Sequence, residues 1–312
     1  MVEPIALAAL ALDAVFGWPA GVYRRIGHPV GVFARIIGIC EAHWNRPARR
    51  FATRRALGVL TVAILILLVG GICWALQHLL LVGLGQAGWL VVALLAWPAL
   101  AQRSLLDHVR PIAQALAGGD LPGARKAVGE IVGRDTERLD ESGVARAAIE
   151  SLSESYCDGV VAPAFWLLLL GLPGVWVYKA INTADSMIGH REERWRAFGW
   201  AAARADDALN WIPARLSGLL LCLAGAGGWR TLWRDADKHA SPNAGWPEAA
   251  MAGALGLRLA GPIAYDGVMH AKRWIGDGRH NADARDIARA LRLYGRACLL
   301  LWIIAGGAAW VR

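Results

Sequence analysis

Charge-free apolar runs alternate along this chain with blocks that collect almost all of its ionisable residues. Of the 33 Lys and Arg, all but Arg215 and Arg312 fall in residues 18–55, 102–159, 179–211 and 229–296. Of the 25 Asp and Glu, all but Glu3 and Asp13 do so too. Residues 56–101 run for 46 positions without a charge. At about 1.5 Å rise per residue, that suffices for two crossings of a hydrocarbon core about 30 Å thick. Gly83, Gly85 and Gly88 mark the turn between them. The pattern predicts membrane segments over 3–17, 56–80, 86–101, 160–178, 212–228 and 297–311, the first interrupted by Asp13.

Two of these segments are irregular. Residues 160–178 contain Pro163, Gly171, Pro173 and Gly174, and residues 212–228 contain Pro213 and Arg215. If both cross simply, residues 179–211 lie outside. If both are broken or re-entrant, all four charged blocks share one side. Irregular backbone at membrane depth is tolerated only where protein or a cavity covers it. The common chemistry of residues 150–158 and 179–211 favours the second arrangement.

Between the apolar runs the periodicity is helical. Val128, Ile131 and Val132 predict a helix over 121–134, and Val144, Ala148 and Leu152 predict another over 141–155, with Asp140 or Ser142 as its N-cap. Eight arginines against the single acid Glu41 place residues 18–55 on the cytoplasmic side by the positive-inside rule. The hairpin 56–101 then returns the chain there. No repeat or low-complexity segment is visible. The predicted fold is therefore all-α: a polytopic integral membrane protein, one membrane-embedded catalytic domain over residues 1–312, with a helical cytoplasmic insert over 102–159 and broken or re-entrant helices.

Composition agrees. The chain is 56% hydrophobic and 19% charged, below the roughly 25% charged of a soluble domain. The net charge of +8 is explained by juxtamembrane arginines facing anionic lipid, and no nucleic-acid module is present. The five cysteines are scattered without CxxC or zinc spacing, which suits a reducing compartment. The N-terminus lacks the basic n-region of a signal peptide. P-loop, HExxH, GxSxG and dinucleotide-binding patterns are missing.

The candidate chemistry lies in polar residues beside the apolar segments, where ionisable groups are costly. Glu150, Glu154 and Asp158 are spaced i, i+4, i+8, a stripe of like charges that is weakly unfavourable on a helix and suggests a cation. Its plain alternative is a solvated face paired with Arg146. Asn182, Asp185 and Ser186 form a second set, and Asp206, Asp207 and Asn210 a third; helix capping is the plain alternative for both. Oxygen ligands of this kind suit Mg²⁺, which keeps water and phosphate in its shell. Glu150, Asn182, Asp185, Asp206, Asp207 and Asn210 are the metal candidates. Lys179, Arg191, Arg204 and Arg215 flank them as phosphate partners. Ser241-Pro-Asn243-Ala-Gly245 reads as a loop opening a helix over 248–257, where free N–H groups hold anions or simply cap. Arg134 in Gly133-Arg-Asp-Thr136 is a further phosphate candidate. His28 is either structural or a base.

Taken in order, GHPV at 27–30, GRDT at 133–136, ESLSE and DGVVAP within 150–163, YKAINTADSMIG at 178–189, the FGWAAAR and NWIPAR strings within 198–215, and SPNAG followed by AAMAGALG within 241–256 resemble the adenosylcobinamide-phosphate synthase family, the membrane-bound proteins of cobalamin biosynthesis. The resemblance runs nearly end to end. It departs at Ser155-Tyr156, where many members read Asn-Thr, and at Gly17-Trp18-Pro19, where many read Gly-Asp-Pro, so Ser155 and Trp18 are given no role. The resemblance implies that a propionate carboxyl of adenosylcobyric acid is joined through an amide to aminopropanol or its O-phosphate. Carboxylate and ammonium do not condense spontaneously in water. Activation through an acyl phosphate needs ATP as co-substrate, Mg²⁺ and cationic side chains, and the amine must lose a proton to a base. Glu154, Asp158 or His28 is then the expected base. Lys179, Arg134, Arg204, Arg215, Ser241 and Asn243 are the expected substrate contacts. The implied location is a bacterial inner membrane with the site facing the cytoplasm, the partners are the corrinoid, the amine and lipid, and docking of other membrane enzymes of cobalamin assembly stays open.

Two rival classes remain on the residues alone. A magnesium-dependent membrane prenyltransferase also pairs Asp-rich helices, but the sets here lack a repeated DxxxD spacing. A transporter built on broken helices would carry its charges in the middle of spans and show internal symmetry.

Overall fold

The computed structural model describes residues 4–265 and 268–311. It is 76% helical. Among the described residues, four helices are long and apolar enough to cross a membrane: Phe51–Gly83, Gly88–Ala117, Glu141–Ile188 and Ala284–Trp310. Two bent pairs raise the number to six: Ile5–Phe16 with Ala20–Trp44, bent by 102°, and Trp200–Leu209 with Trp211–Gly225, bent by 45°. Segments 56–80 and 160–178 fall inside two of these helices, and 3–17, 86–101, 212–228 and 297–311 overlap the others while running one to three residues past their ends. The polytopic all-α class holds.

The chain divides into two compact units. The first comprises residues 1–101, 162–210 and 305–312; the second comprises 102–161 and 211–304. In the first, helices Phe51–Gly83 and Ala162–Ile188 pack together around Leu65 and Ile181, both fully buried. The opposite face of Phe51–Gly83 is apolar and open: Leu67, Leu79 and Val82 are 74%, 67% and 71% exposed. A contiguous face of this kind is a liability in water and ordinary against lipid. Helix Ile5–Phe16 runs through Asp13 rather than breaking there, and Asp13 is buried.

The expected irregularities have identifiable causes. At Gly171 the backbone leaves the helix with φ 68 and ψ −149. The freed N–H of Leu172 donates to Gln77 Oε1 at 2.7 Å, as a broken helix at membrane depth requires. A Cβ at Gly171 would lie 2.5 Å from that oxygen and push the Gln77 amide aside, and the positive φ itself demands glycine. Pro213 has no N–H for the carbonyl of Leu209, and Trp166 Nε1 donates to it instead, at 3.2 Å. Upstream of Pro163, residues Cys157–Val161 widen into a π-turn, which relieves the clash of the proline ring with the carbonyl four residues before it.

In the second unit, helices Trp211–Gly225 and Gly245–Leu255 pack closely, and helix Glu141–Tyr156 contributes Val144, Ile149, Leu152 and Tyr156 to the core. Asp140 is its N-cap, accepting from Gly143 N–H at 2.7 Å, whereas Ser142 Oγ donates to the His280 carbonyl. The helix predicted over 121–134 stops at Gly129. Two glycines weaken its continuation, and the Ile131 carbonyl accepts from Ser151 Oγ at 2.9 Å, which docks the following turn on helix Glu141–Tyr156. The predicted start at 248 moves to Gly245, in helix Gly245–Leu255. Two small antiparallel strand pairs add to the helical class: Leu259–Ala260 with Trp274–Ile275, and Ile263–Tyr265 with Val268–His270.

Candidate active site

The second unit encloses a cavity of about 320 Å³ with a charged lining. Glu150 and Glu154 reach it from helix Glu141–Tyr156, Arg134 from the turn after residue 129, Glu248 from helix Gly245–Leu255, and His239 and Lys272 from loops. The i, i+4 spacing of Glu150 and Glu154 does place both on one face, but their surroundings differ.

Glu150 is buried and fully engaged. Arg134 donates to its Oε2, the Ala260 N–H donates to Oε1 at 2.8 Å, and Arg146 lies 3.7 Å away. Arg146 also rests on the face of Trp274. A carboxylate held this way fixes the GRDT turn and the first strand against the helix. Glu154, one turn on, opens into the cavity with its side chain 44% exposed.

His239 and Glu248 were not singled out from the sequence. His239 Nε2 lies 3.5 Å from Glu154 Oε1 and 3.8 Å from Glu248 Oε2. Among the described residues, these three bring one ligand atom each within 4.8 Å of one another; Asp185, Asp206 and Asp207 do not converge to that degree. Burial, reinforced by the Lys272 charge, lowers the His239 pKa to about 4, so the ring is neutral near pH 7. Burial, then repulsion from Glu150 and Glu154, pushes the Glu248 carboxyl well above its usual range. Glu248 had a signal: it is the one charge in residues 240–257, and a lone acid in an apolar helix points to a site. His239 had none, because a single histidine carries no pattern of its own and Glu154 lies far away along the chain.

Ser241 and Asn243 sit at the start of helix Gly245–Leu255. Ser241 Oγ accepts from Asn243 N–H and Ala244 N–H at 3.2 and 3.3 Å, and the Ser241 N–H donates to His239 Nδ1 at 3.0 Å. The SPNAG string thus fixes His239 and delivers Glu248 three residues after Gly245. Arg215 donates to the Trp211 carbonyl and lies over the rings of Trp211 and Trp246, 4.1 and 4.6 Å from their centroids. Asp158 lies in the π-turn, a distortion frequent at functional positions.

The remaining candidates belong to the first unit. Asp206 accepts from Asn182 Nδ2 at 3.2 Å and from Asn210 Nδ2 at 3.0 Å, and Tyr178 OH donates to Asn210 Oδ1 at 3.0 Å. Asp207 pairs with Arg204 at 2.7 Å. Asp185 is near enough to Asp206 and Asp207 for their charges to repel. Lys179 stands one turn before Asn182 on helix Ala162–Ile188, and Thr183 Oγ1 donates to its carbonyl. His28 precedes helix Val30–Trp44, accepts from the Val30 N–H at 3.3 Å, and meets the Trp18 ring edge-on.

The class is thus a multi-spanning helical membrane protein with an acid- and base-lined cavity beside its apolar segments. The family follows from comparison: residues 6–294 match the CobD/Cbib protein family, and the chain belongs to it. It is 49% identical over 303 residues to "Cobalamin biosynthesis protein CobD" of Rhodobacter capsulatus, covering 96% of this chain and 95% of that protein. It is 47% identical over 306 residues to the protein so named from Sinorhizobium sp, covering 94% of each. The identity is 48% over 299 residues to that of Brucella suis biovar 1 (strain 1330), covering 92% of this chain and 90% of that protein. No solved structure matches.

Proposed function

We propose that this protein forms an amide bond in cobalamin biosynthesis, joining aminopropanol or its O-phosphate to a propionate carboxyl of adenosylcobyric acid, with ATP as co-substrate and Mg²⁺. Membership of a family of cobalamin-biosynthesis proteins supports the pathway. The observation that carries the chemistry is the cavity that sets Glu154, His239 and Glu248 beside Arg134 and Lys272. In the proposed sequence the propionate oxygen attacks the terminal phosphorus of ATP, giving an acyl phosphate and ADP. The amine nitrogen then attacks the acyl carbon, and the carbon–oxygen bond to phosphate breaks. The proton leaving nitrogen goes to a carboxylate; Glu154 and Asp158, in the same unit as the cavity, are the candidates. Arg134 and Lys272 are the fixed cations lining the cavity that would offset phosphoryl charge, and a divalent ion, when bound, would add to them.

Placement in the inner membrane with this site towards the cytoplasm belongs to the same reading, since ATP is cytoplasmic. The test is purified protein with adenosylcobyric acid, ATP, Mg²⁺ and either amine, followed by mass analysis. Amide product with stoichiometric ADP is expected. Corrinoid bound but chemically unchanged, with ATP intact, defeats the ligase reading and favours transport.

A further inference from the structure

Glu248 is 1% exposed, and its Oε1 has no hydrogen-bond donor among the described residues. A buried carboxyl oxygen left without a donor is costly to folding. The residue lines the charged cavity, and its other oxygen, Oε2, lies 3.8 Å from His239 Nε2 within the same cluster.

The convergence of Glu154, His239 and Glu248 invites a three-ligand reading with a nitrogen donor. The tautomer of His239 argues against it. The Ser241 N–H donates to Nδ1 at 3.0 Å, so Nδ1 carries the lone pair and the proton of the neutral ring sits on Nε2. Nε2 is the atom facing the two carboxylates. A nitrogen bearing hydrogen donates; it does not ligate. Glu150 is excluded as well, because Arg134, Arg146 and the Ala260 N–H already occupy it.

We propose that Glu154 and Glu248 form a two-carboxylate site for a hard divalent cation of the Mg²⁺ class, and that His239 Nε2–H donates to a water or phosphate oxygen on that ion without ligating it. Mg²⁺ takes one or two carboxylates and completes its octahedron with water and phosphate, which is what two acids in an open polar cavity offer. Imidazole-bound Zn²⁺ needs the lone pair that His239 directs elsewhere. Arg134 and Lys272 line the same cavity, where cations beside a bound divalent ion would suit a phosphoryl group. This deepens the proposed ATP-dependent reaction, on which the phosphate rests; ion binding stands without it.

The test is Mn²⁺, as a paramagnetic substitute, titrated by EPR into the full-length protein in detergent, with pulsed EPR to detect directly coordinated nitrogen. One Mn²⁺ displaced by Mg²⁺ is expected. Glu154→Gln and Glu248→Gln should each weaken it by more than about tenfold, His239→Asn less than either, and no directly bound nitrogen should appear. Undiminished Mn²⁺ affinity in folded Glu154→Gln overturns the site, and that variant decides alone if buried Glu248→Gln fails to fold. A directly bound nitrogen overturns the role given to His239. Normal Mn²⁺ binding in a protein that makes no amide product would defeat the reaction and leave the ion site standing.

Discussion

Two polar clusters, one in each unit, use similar residues to opposite ends. Around Asp206, both carboxylate oxygens accept from amides, and Tyr178 holds Asn210 in turn. Around Glu248, the carboxyl is more deeply buried still, yet one oxygen has no donor among the described residues and its neighbours include another acid and a neutral histidine. The first is a closed network of the kind that fixes helix packing. The second is an open one. Closed networks lose stability when cut, whereas open ones lose ligand and turnover.

That contrast is sharpest in activity. Glu248→Gln keeps the volume and removes the charge, and turnover of the proposed ligase should fall by about a hundredfold or more, read by product formation at equal membrane yield. A loss of yield at unchanged specific activity would make Glu248 structural and erase the contrast. Asp206→Ala should act in the reverse sense. It leaves the Asn182 and Asn210 amides without their acceptor, a loss of about 2–4 kcal/mol, seen as a lower thermal unfolding midpoint in detergent. Gln77→Leu removes the one side chain that satisfies Leu172 N–H at the Gly171 break. A drop of about 1–3 kcal/mol is expected, measured by the same midpoint, with Gln77→Glu as the partial rescue.

A third charged centre separates stability from pH-independent packing. Asp235 is fully buried and takes Arg234 at 2.7 Å, Lys238 at 2.6 Å and the Gly276 N–H at 2.7 Å. Burial alone would raise its carboxyl, but these three donors outweigh it and hold the pKa well below the ordinary range. The folded value is depressed, so the stabilisation is complete above the unfolded value of about 3.9 and is lost as pH falls below it. Asp235→Asn should flatten the acid limb of the stability profile below about pH 4 and lower stability near neutrality. An unchanged acid limb would show that other carboxylates govern it. The smallest effect is expected at Arg103, whose pair with Asp107 is nearly half exposed on both sides. Arg103→Ala should shift the midpoint by no more than about 0.5 kcal/mol equivalent.

Much of the fold was legible because its signals are local. A 46-residue charge-free run, turn glycines and the prolines at 163, 173 and 213 declare membrane helices and their breaks without knowledge of a partner. The chemistry was legible in part. Glu150 and Glu154 stood out as a stripe, but helical spacing could not say that Arg134 would neutralise the first and leave the second open. Asp13 read as an interruption because a charge in an apolar helix is costly, and only its burial within the first unit shows the helix continuing. His239 was illegible, since a single histidine two residues before a Ser-Pro turn carries no distinguishing pattern.

By itself, the sequence determined where the chain is apolar, where its helices must break, and which family it belongs to, because each is written in neighbouring residues or in ordered strings. Tertiary structure alone decided which acids are spent on structure and which face the cavity. A carboxylate's role depends on the donors within about 3 Å of it, and in this fold those donors come from distant segments, 110 positions apart for Glu150 and Ala260.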